Sequence, residues 1–269
     1  MSWASAVVGT SVVAEDSPVE TDRFGLSITR AVVPLGVSAE SGFGETLGLL
    51  READADVVVL RYPAERVDWF ARLFAAGRDL VFADSLTYWR LKVGTGRPVR
   101  QAESDPHIEV SRGTTIEPGL LDSLIDDIFS DYGNHYRANP LLAPDKALAG
   151  YREWAQHSAT HDELVTLSYQ NDGIVGLATV ESTPEYCEIL LAGIGTQFQQ
   201  RGLYAHLLAG CEALAAAKGV EELVISTQGH NTNVQRSWAR FGFEPVGTLL
   251  TIHAVRKGLL PSIDVISRY

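Results

Sequence analysis

Two runs that alternate apolar and polar residues, ELVTLSYQ (163–170) and IVGLATVES (174–182), are separated only by Asn171-Asp172-Gly173. Such a tripeptide supplies the positive-φ positions of a tight turn, so this stretch is expected to form an antiparallel hairpin. The residues after the hairpin have a different rhythm. A strand-like EYCEILLAGIG leads into an apolar helical stretch, then strand ELVISTQ, helix NVQRSWARFG, and strands FEPVG and LLTIHAV. A hairpin that feeds strand, helix, strand, helix, strand reads as an α/β unit.

The first part of the chain reads as a smaller α/β unit. FGLSITRAVV suggests a strand, and ETLGLLREADA a helix with Leu47, Leu50 and Ala53 on one side. DVVVLRY is a compact β-branched run, hence a buried strand. AERVDWFARLFAAG suggests a helix with Val67, Phe70, Leu73 and Phe74 on one face, stopped by Gly77. LVFADSLTYWRLKV forms one or two strands. Residues 1–17 read as a loose arm, and VGTGRPVRQAESDP (93–106) as a linker, rich in Gly and Pro and without periodicity. The expected division is therefore 1–105 and 106–269. The second unit opens with HIEVSRG and a helix from Pro118-Gly119 that keeps Leu121, Leu124, Ile125 and Ile128 in register. A polar loop, YGNHYRANPLLAPDK, precedes a helix carrying Tyr151 and Trp154.

With 269 residues, 45% of them hydrophobic, the chain can bury a substantial core. A net charge of -12 argues against a general nucleic-acid or anionic-membrane binder. It leaves room for a local site that holds a small anion. No apolar run approaches bilayer length, and the first residues lack a basic leader, so the expectation is a cytoplasmic protein. Cys187 and Cys211 both lie in apolar segments and are expected to be buried, reduced thiols.

The stretch QFQQRGLYAHLLAGCEAL (197–214) puts amides, a cation and a glycine where a helix begins, with no acidic N-cap. A helix N-terminus presents free N–H groups and the positive end of a dipole, and a glycine there admits a ligand close to the main chain. Together these suit a phosphate, with which an acidic cap would compete. The plainer reading makes Gly202 a turn residue and Arg201 a solvated charge.

Gln199, Gln200, Arg201 and Gly202 resemble the pyrophosphate loop of the GNAT superfamily of acyl-CoA-dependent acyltransferases, whose pattern is Gln/Arg-x-x-Gly-x-Gly/Ala. Tyr204 departs from it, standing where a small residue is usual. Asn231, Val234, Trp238, Gly242 and Phe243 match the spacing of the family's last helix and its Gly-Phe ending. The resemblance implies a GNAT fold, an α/β arrangement with a mixed, mostly antiparallel, splayed sheet, preceded here by a smaller GNAT-like unit. It implies acetyl-CoA or another short acyl-CoA as co-substrate. Pantetheine would lie along main-chain groups of Ala192 and Ile194, the diphosphate on the loop from Gln199 through Leu203 and Tyr204 to Ala205, and the cofactor also against Asn231 and Trp238. Asn231 serves equally well as the N-cap of its helix. Gly193 and Gly195 would fit a bulge or close ligand approach, or simply a flexible strand end.

Direct attack of an amine on the thioester needs the amine neutral and the departing thiolate stabilised. Many relatives place a Tyr acid at the position held here by Trp238, whose indole is no acid. Candidate bases are Glu188 on the presumed cofactor strand, His230, His253 and His135, each with an alternative reading as an ordinary paired, loop or core residue. His157 and His161 lack a third ligand, so no metal is expected. The acidic run Asp122, Asp126, Asp127 and Asp131 reads most simply as the wet face of its helix.

The acceptor segment, with His135, Tyr136, Arg137 and Tyr151, is similar to the dTDP-fucosamine acetyltransferase branch, which implies a nucleotide-linked amino sugar as acceptor and, as in many similar enzymes, a homodimer. Rings would stack on base or sugar, and Arg137 or Arg152 would meet a diphosphate. The rival acceptors are other small amines, such as an aminoglycoside, a polyamine or an amino acid. A catalytically silent acyl-CoA-binding module is a further alternative, favoured by Tyr204 and Trp238.

Overall fold

The computed structural model describes residues 2–97, 106–113, 115–161 and 163–261. Ten strands join in one sheet: β1 (Val13–Asp16), β2 (Ile28–Val32), β3 (Val57–Pro63), β4 (Asp79–Lys92), β5 (Ile108–Arg112), β6 (Glu163–Tyr169), β7 (Ile174–Ser182), β8 (Tyr186–Ile194), β9 (Glu222–Gln228) and β10 (Glu244–Val255). Their order across the sheet is β1-β2-β3-β10-β4-β9-β8-β7-β6-β5. Only β2/β3 and β8/β9 are parallel; every other neighbour is antiparallel.

That order has a hidden symmetry. The early half runs β2, helix α2 (Ala39–Glu52), β3, helix α3 (Trp69–Leu73), β4. The late half runs β8, helix α6 (Leu203–Lys218), β9, helix α7 (Thr232–Phe241), β10. Each half thus has a parallel pair crossed by a helix. Each then sends its last strand to the other: β10 lies beside β3 and β4 lies beside β9. The linker stretch, of which 98–105 lie outside the described residues, therefore joins two halves of one continuous sheet.

Helices cover both faces. Helix α6 is apolar almost all round, and Leu203, Leu207, Leu208, Cys211 and Leu214 are buried against Val165, Val175, Ile189 and Leu223 of the sheet. Each such leucine contributes roughly 1.5–3 kcal/mol when fully buried. On the opposite face, α4 (Pro118–Phe129) and α5 (Pro144–His161) pack together over Leu164, Leu177 and Leu191. The hairpin forms as expected, with Gln170 and Gly173 in the left-handed region. Both cysteines are free and buried. Among the described residues no helix is long and apolar enough to cross a membrane.

Several local expectations are corrected. The segment before residue 18 is packed, not loose: Trp3 is 3% exposed and Ala6 fully buried, against Tyr88, Val224 and Leu249. An unforeseen helix, α1 (Pro18–Phe24), comes next, with Pro at its start and Gly25 in the left-handed conformation at its end. The helix expected over 64–77 breaks into short turns around α3, and it buries Trp69 and Leu73 while Val67 and Phe74 face solvent. Residues 79–92 form one strand, and so do 244–255, the latter bulged between Pro245 and Gly247.

Candidate active site

Strands β8 and β9 hydrogen-bond only from Tyr186/Glu222 to Ile189/Ile225. Yet β8 runs on to Ile194 and β9 to Gln228. The register of β8 against β7 shifts between Thr179 and Val180, opposite the point of parting. The gap opens into a cavity of about 790 Å³, walled on this side by residues 189–192 and 225–228. The corresponding pair in the early half, β2/β3, is zipped along the whole of β2. Among the described residues the duplicated topology thus has one parted parallel pair, not two.

The helix that crosses each pair differs in the same sense. Helix α2 caps itself, Ser38 Oγ accepting from Ser41 N–H at 3.3 Å, with Glu40 in its first turn. Helix α6 starts at Gly202 (φ 81°) with no side-chain cap and no acid in its first turn. Gln200 is also left-handed (φ 63°), so Gln200 and Gly202 bend the loop into a concave run of main chain before the uncapped N–H groups. Such a backbone concavity favours an anion. Arg201 sits over the Phe198 ring at 5.5 Å. Gln199 Nε2 donates to the Ile194 carbonyl (3.1 Å), tying the loop to the end of β8. Ala192 lines the cavity; Leu203 is buried under the helix start, and Ala205 N–H bonds the Gly202 carbonyl at 3.2 Å.

The strand glycines have a different reason from ligand approach. A Cβ on Gly193 would run into Ile128 of α4, and one on Gly195 would lie 2.9 Å from Asp127 Oδ2. Asp127 accepts the Thr196 N–H at 2.8 Å, Asp126 pairs with Arg152, and Asp122 accepts from Gln156 at 2.7 Å. Three members of the acidic run are thus engaged rather than merely wet.

From α7, Asn231, Val234 and Trp238 reach the cavity. Asn231 does not cap its helix through its side chain; its Nδ2 donates to Thr227 Oγ1 at 3.1 Å. Trp238 Nε1–H donates to the Tyr204 hydroxyl at 3.0 Å. That bond uses a lone pair of the phenol and leaves its own O–H free to donate. Burial raises the Tyr204 pKa, so the phenol stays protonated.

Of the four candidate bases, His135 alone lines the cavity. Both carboxylate oxygens of Glu188 accept the Trp3 main-chain N–H, at 3.0 and 2.9 Å, and burial lifts its pKa to about 7 against that bond. His230 faces Asp84 at 3.4 Å. His253 is fully buried, with Nε2 2.9 Å from Nδ1 of His135 and Nδ1 3.2 Å from Nδ2 of Asn139. Leu141 N–H donates to Oδ1 of Asn139 at 3.0 Å, which settles which end of that amide is which. Asn139 therefore donates to His253, His253 donates from Nε2 to Nδ1 of His135, and His135 keeps its own proton on Nε2. Burial, reinforced for His135 by His253 and by the charges of Arg61 and Arg30, pushes its pKa well down; burial takes His253 to about 4. Both rings are neutral at pH 7. His135 consequently offers the cavity a donor, and its basic nitrogen is already occupied.

At the acceptor end, Tyr136 and Tyr151 line the cavity while Arg137 does not, bonding the Ser130 carbonyl at 3.2 Å. Tyr151 stacks on Phe129 with centroids 5.0 Å apart. Tyr136 donates to Glu20, and Arg30 donates both to Glu20 and, at 3.0 Å, to the Tyr136 hydroxyl. Burial would raise the Glu20 pKa, but Arg30 overrides it and holds the carboxyl at about 2. Sequence reasoning missed this wall from the early half, Glu20, Arg30 and Arg61. The available signal was a lone arginine inside the apolar run DVVVLRY. His157 and His161 stack with ring centroids 4.2 Å apart, and no group of three metal-ligating side chains occurs among the described residues.

Residues 123–243 match the model of the Acetyltransferase (GNAT) family. No curated protein matches the chain by sequence. Solved structures similar to it include a GCN5-related N-acetyltransferase from Sphaerobacter thermophilus, with TM-score 0.58 and 15% identity over 94% of this chain and 79% of that one. A GCN5-related N-acetyltransferase from Kribbella flavida gives 0.54 and 13% over 86% and 83%. A tandem GNAT protein from the clavulanic acid biosynthesis pathway gives 0.53 and 15% over 91% and 83%. Identities this low speak for the fold, while the family match falls on the segment that holds the cleft, the uncapped helix and Asn231 to Phe243. Residues 123–243 are thus similar to the Acetyltransferase (GNAT) family, and the chain shares its fold with solved GCN5-related N-acetyltransferases.

Proposed function

We propose that the protein transfers an acetyl or other short acyl group from acyl-CoA to the amine of a small molecule seated in the cavity. The reading is carried by one observation: the β8/β9 gap, starting at Ile189/Ile225, opens into a chamber lined by both halves of the chain and by Tyr204, in the first turn of the uncapped α6. Diphosphate at the α6 start and pantetheine along β8 would bring the thioester beside Ala192. There a main-chain N–H can steady the charge that develops on the carbonyl oxygen. Holding the amine next to it supplies much of the acceleration. The departing thiolate receives a hydrogen bond from Tyr204. Its raised pKa makes it a donor that stabilises sulfur rather than an acid that hands over its proton. The two departures from the family pattern, Tyr204 and Trp238, are one arrangement: the indole orients the phenol. The amine enters neutral or loses its proton to water.

A nucleotide-linked amino sugar, as in the dTDP-fucosamine acetyltransferase branch, is a second acceptor reading, favoured by the aromatic wall of Tyr136, Tyr151 and Trp154. The two arginines expected from the sequence to meet its diphosphate do not serve it: Arg152 pairs with Asp126 at 2.7 Å and Arg137 bonds the Ser130 carbonyl outside the cavity. This favours a smaller amine.

The test is CoA-thiol release from acetyl-CoA with an amine panel, beside calorimetric CoA titration. Gly202→Asn, which tolerates the left-handed backbone, is expected to bind CoA. Gly202→Glu, which charges and fills the phosphate seat, should weaken binding about 100-fold, the loss of one or two charge-assisted hydrogen bonds. Equal CoA affinity in both folded variants would overturn the assignment. CoA binding with no turnover on any amine would favour a silent module.

A further inference from the structure

Buried arginines in this protein come in two kinds. Arg78 is 8% exposed and fully answered: its guanidinium donates to the carbonyls of Leu50, Ala53, Ala55 and Ala254. That is a cation used as internal mortar. Arg61, on β3, is 7% exposed and lines the cavity. Its Nε has no hydrogen-bond partner. The other two arginines of the cavity wall are paired, Arg23 with Glu153 at 2.6 Å and Arg30 with Glu20. Among the described residues no carboxylate stands within ion-pair distance of Arg61. The buried Tyr88 phenol lies close enough to interact with the guanidinium though short of a well-formed hydrogen bond, and the Glu20 charge acts on Arg61 from beyond ion-pair distance. A buried charge left without a counter-charge costs several kcal/mol. A chain keeps such a group in a cavity wall where something else completes it.

A second donor points the same way. The Asn139–His253–His135 relay fixes the proton of His135 on Nε2, so the ring offers the cavity an N–H and no lone pair. Arg61 and His135 line the same cavity, and His253, the partner of His135, pairs with Val59 two residues from Arg61, on the same face of β3. A guanidinium together with a neutral imidazole N–H is a receptor for an anion.

We propose that Arg61, with His135 Nε2–H, binds an anionic group, carboxylate or phosphate, carried by the amine acceptor, so that the acceptor class is a small amine bearing one such group. This rests on the acyltransferase reading above and names the acceptor that the chamber selects. The anion seats against β3 and the His135 turn, and the amine then points back toward the β8/β9 gap. Arg61 acts on binding and orientation; it moves no proton.

The experiment uses the full chain, wild type and Arg61→Met, with saturating acetyl-CoA. The acceptors are amino acids, the matching amino acid amides, and ethanolamine phosphate beside ethanolamine. In the wild type the anion-bearing member of at least one pair should exceed its neutral partner by about 10–100-fold in kcat/KM, the range for hydrogen bonds to a charged group. In Arg61→Met that ratio should fall toward one, mainly through KM, with calorimetric CoA affinity unchanged. A preference confined to amino acids identifies a carboxylate, and one confined to the phosphate pair identifies a phosphate. Neutral amines used as well as their anionic partners, or a ratio that survives Arg61→Met, would overturn the proposal. A readout independent of turnover separates this site from the reaction: thermal shift on titrating acetate or inorganic phosphate. With CoA saturating, so that the α6 seat is filled, the wild type should be stabilised by one of them and Arg61→Met by neither, and Arg61→Met without the anion should melt at or above the wild-type temperature because it loses a charge with no carboxylate in ion-pair reach. If the anions stabilise the wild type while no amine is acylated, the anion site stands and the acyltransferase reading falls. A marked drop in the melting temperature of Arg61→Met, with anion response unchanged, would mean a structural arginine and end the proposal.

Discussion

Tyr204 and Trp238 sit 34 positions apart on different helices and meet in one 3.0 Å hydrogen bond at the edge of the cleft. The direction of that bond matters more than its length. An indole only donates, so the phenol must accept from it and point its own proton elsewhere. If that proton steadies the departing sulfur, Tyr204→Phe should lower kcat about 10–100-fold while leaving the calorimetric affinity for CoA within a factor of about three. Trp238→Phe, which frees the phenol without removing it, should fall between Tyr204→Phe and wild type. A Tyr204→Phe enzyme with undiminished kcat in single-turnover measurements would show that the thiolate leaves unaided. The same logic of donor direction explains why His135 resembles a base in the sequence and is none in the fold. Its role follows from His253, 118 residues away, and from Asn139, which fixes the tautomer of His253, and no local pattern displays either. Glu188 likewise lies in a readable strand, but its covering group, the Trp3 amide, comes from 185 residues earlier in the chain.

Element by element, the legible features are those enforced by local chemistry. The hairpin turn, the uncapped α6 with Gly202 at its start, and the Gly-Phe exit from α7 depend on residues within one turn of each other. The breaks in the helix around Trp69 and the presence of α1 depend on what those segments rest against, and so escape a local reading. Gly193 shows how a correct residue can carry a wrong reason. The glycine in β8 suggests room for a ligand, whereas it makes room for Ile128 on α4. Gly193→Ala should therefore destabilise the fold by about 1–3 kcal/mol through overpacking, seen as a lower urea midpoint. Pairing it with Ile128→Ala should recover part of that loss. No recovery in the double variant would mean that the glycine serves the strand backbone or a ligand instead.

For the whole molecule, the exchange of final strands decides what can exist alone. The stretch 93–106 looks like a boundary between domains, and by composition it is one. Yet a chain cut there would leave β10 without β3 and β4, and β9 without β4. Edges exposed in this way invite aggregation. Expressed separately, 1–105 and 106–269 should be insoluble or associate non-specifically; expressed together they should form a soluble 1:1 complex, read by size-exclusion chromatography. A soluble, cooperatively folding 106–269 would show that the halves are independent domains after all.

The closed β2/β3 pair and the parted β8/β9 pair assign different duties to two copies of one plan. On the proposed reading the later copy would hold the groove for a constant acyl donor; the earlier one, its own pair closed, supplies Glu20, Arg30 and Arg61 to the opposite wall. If so, substitutions in that earlier copy would retune the choice of acceptor and leave the donor groove, built by the other copy, undisturbed.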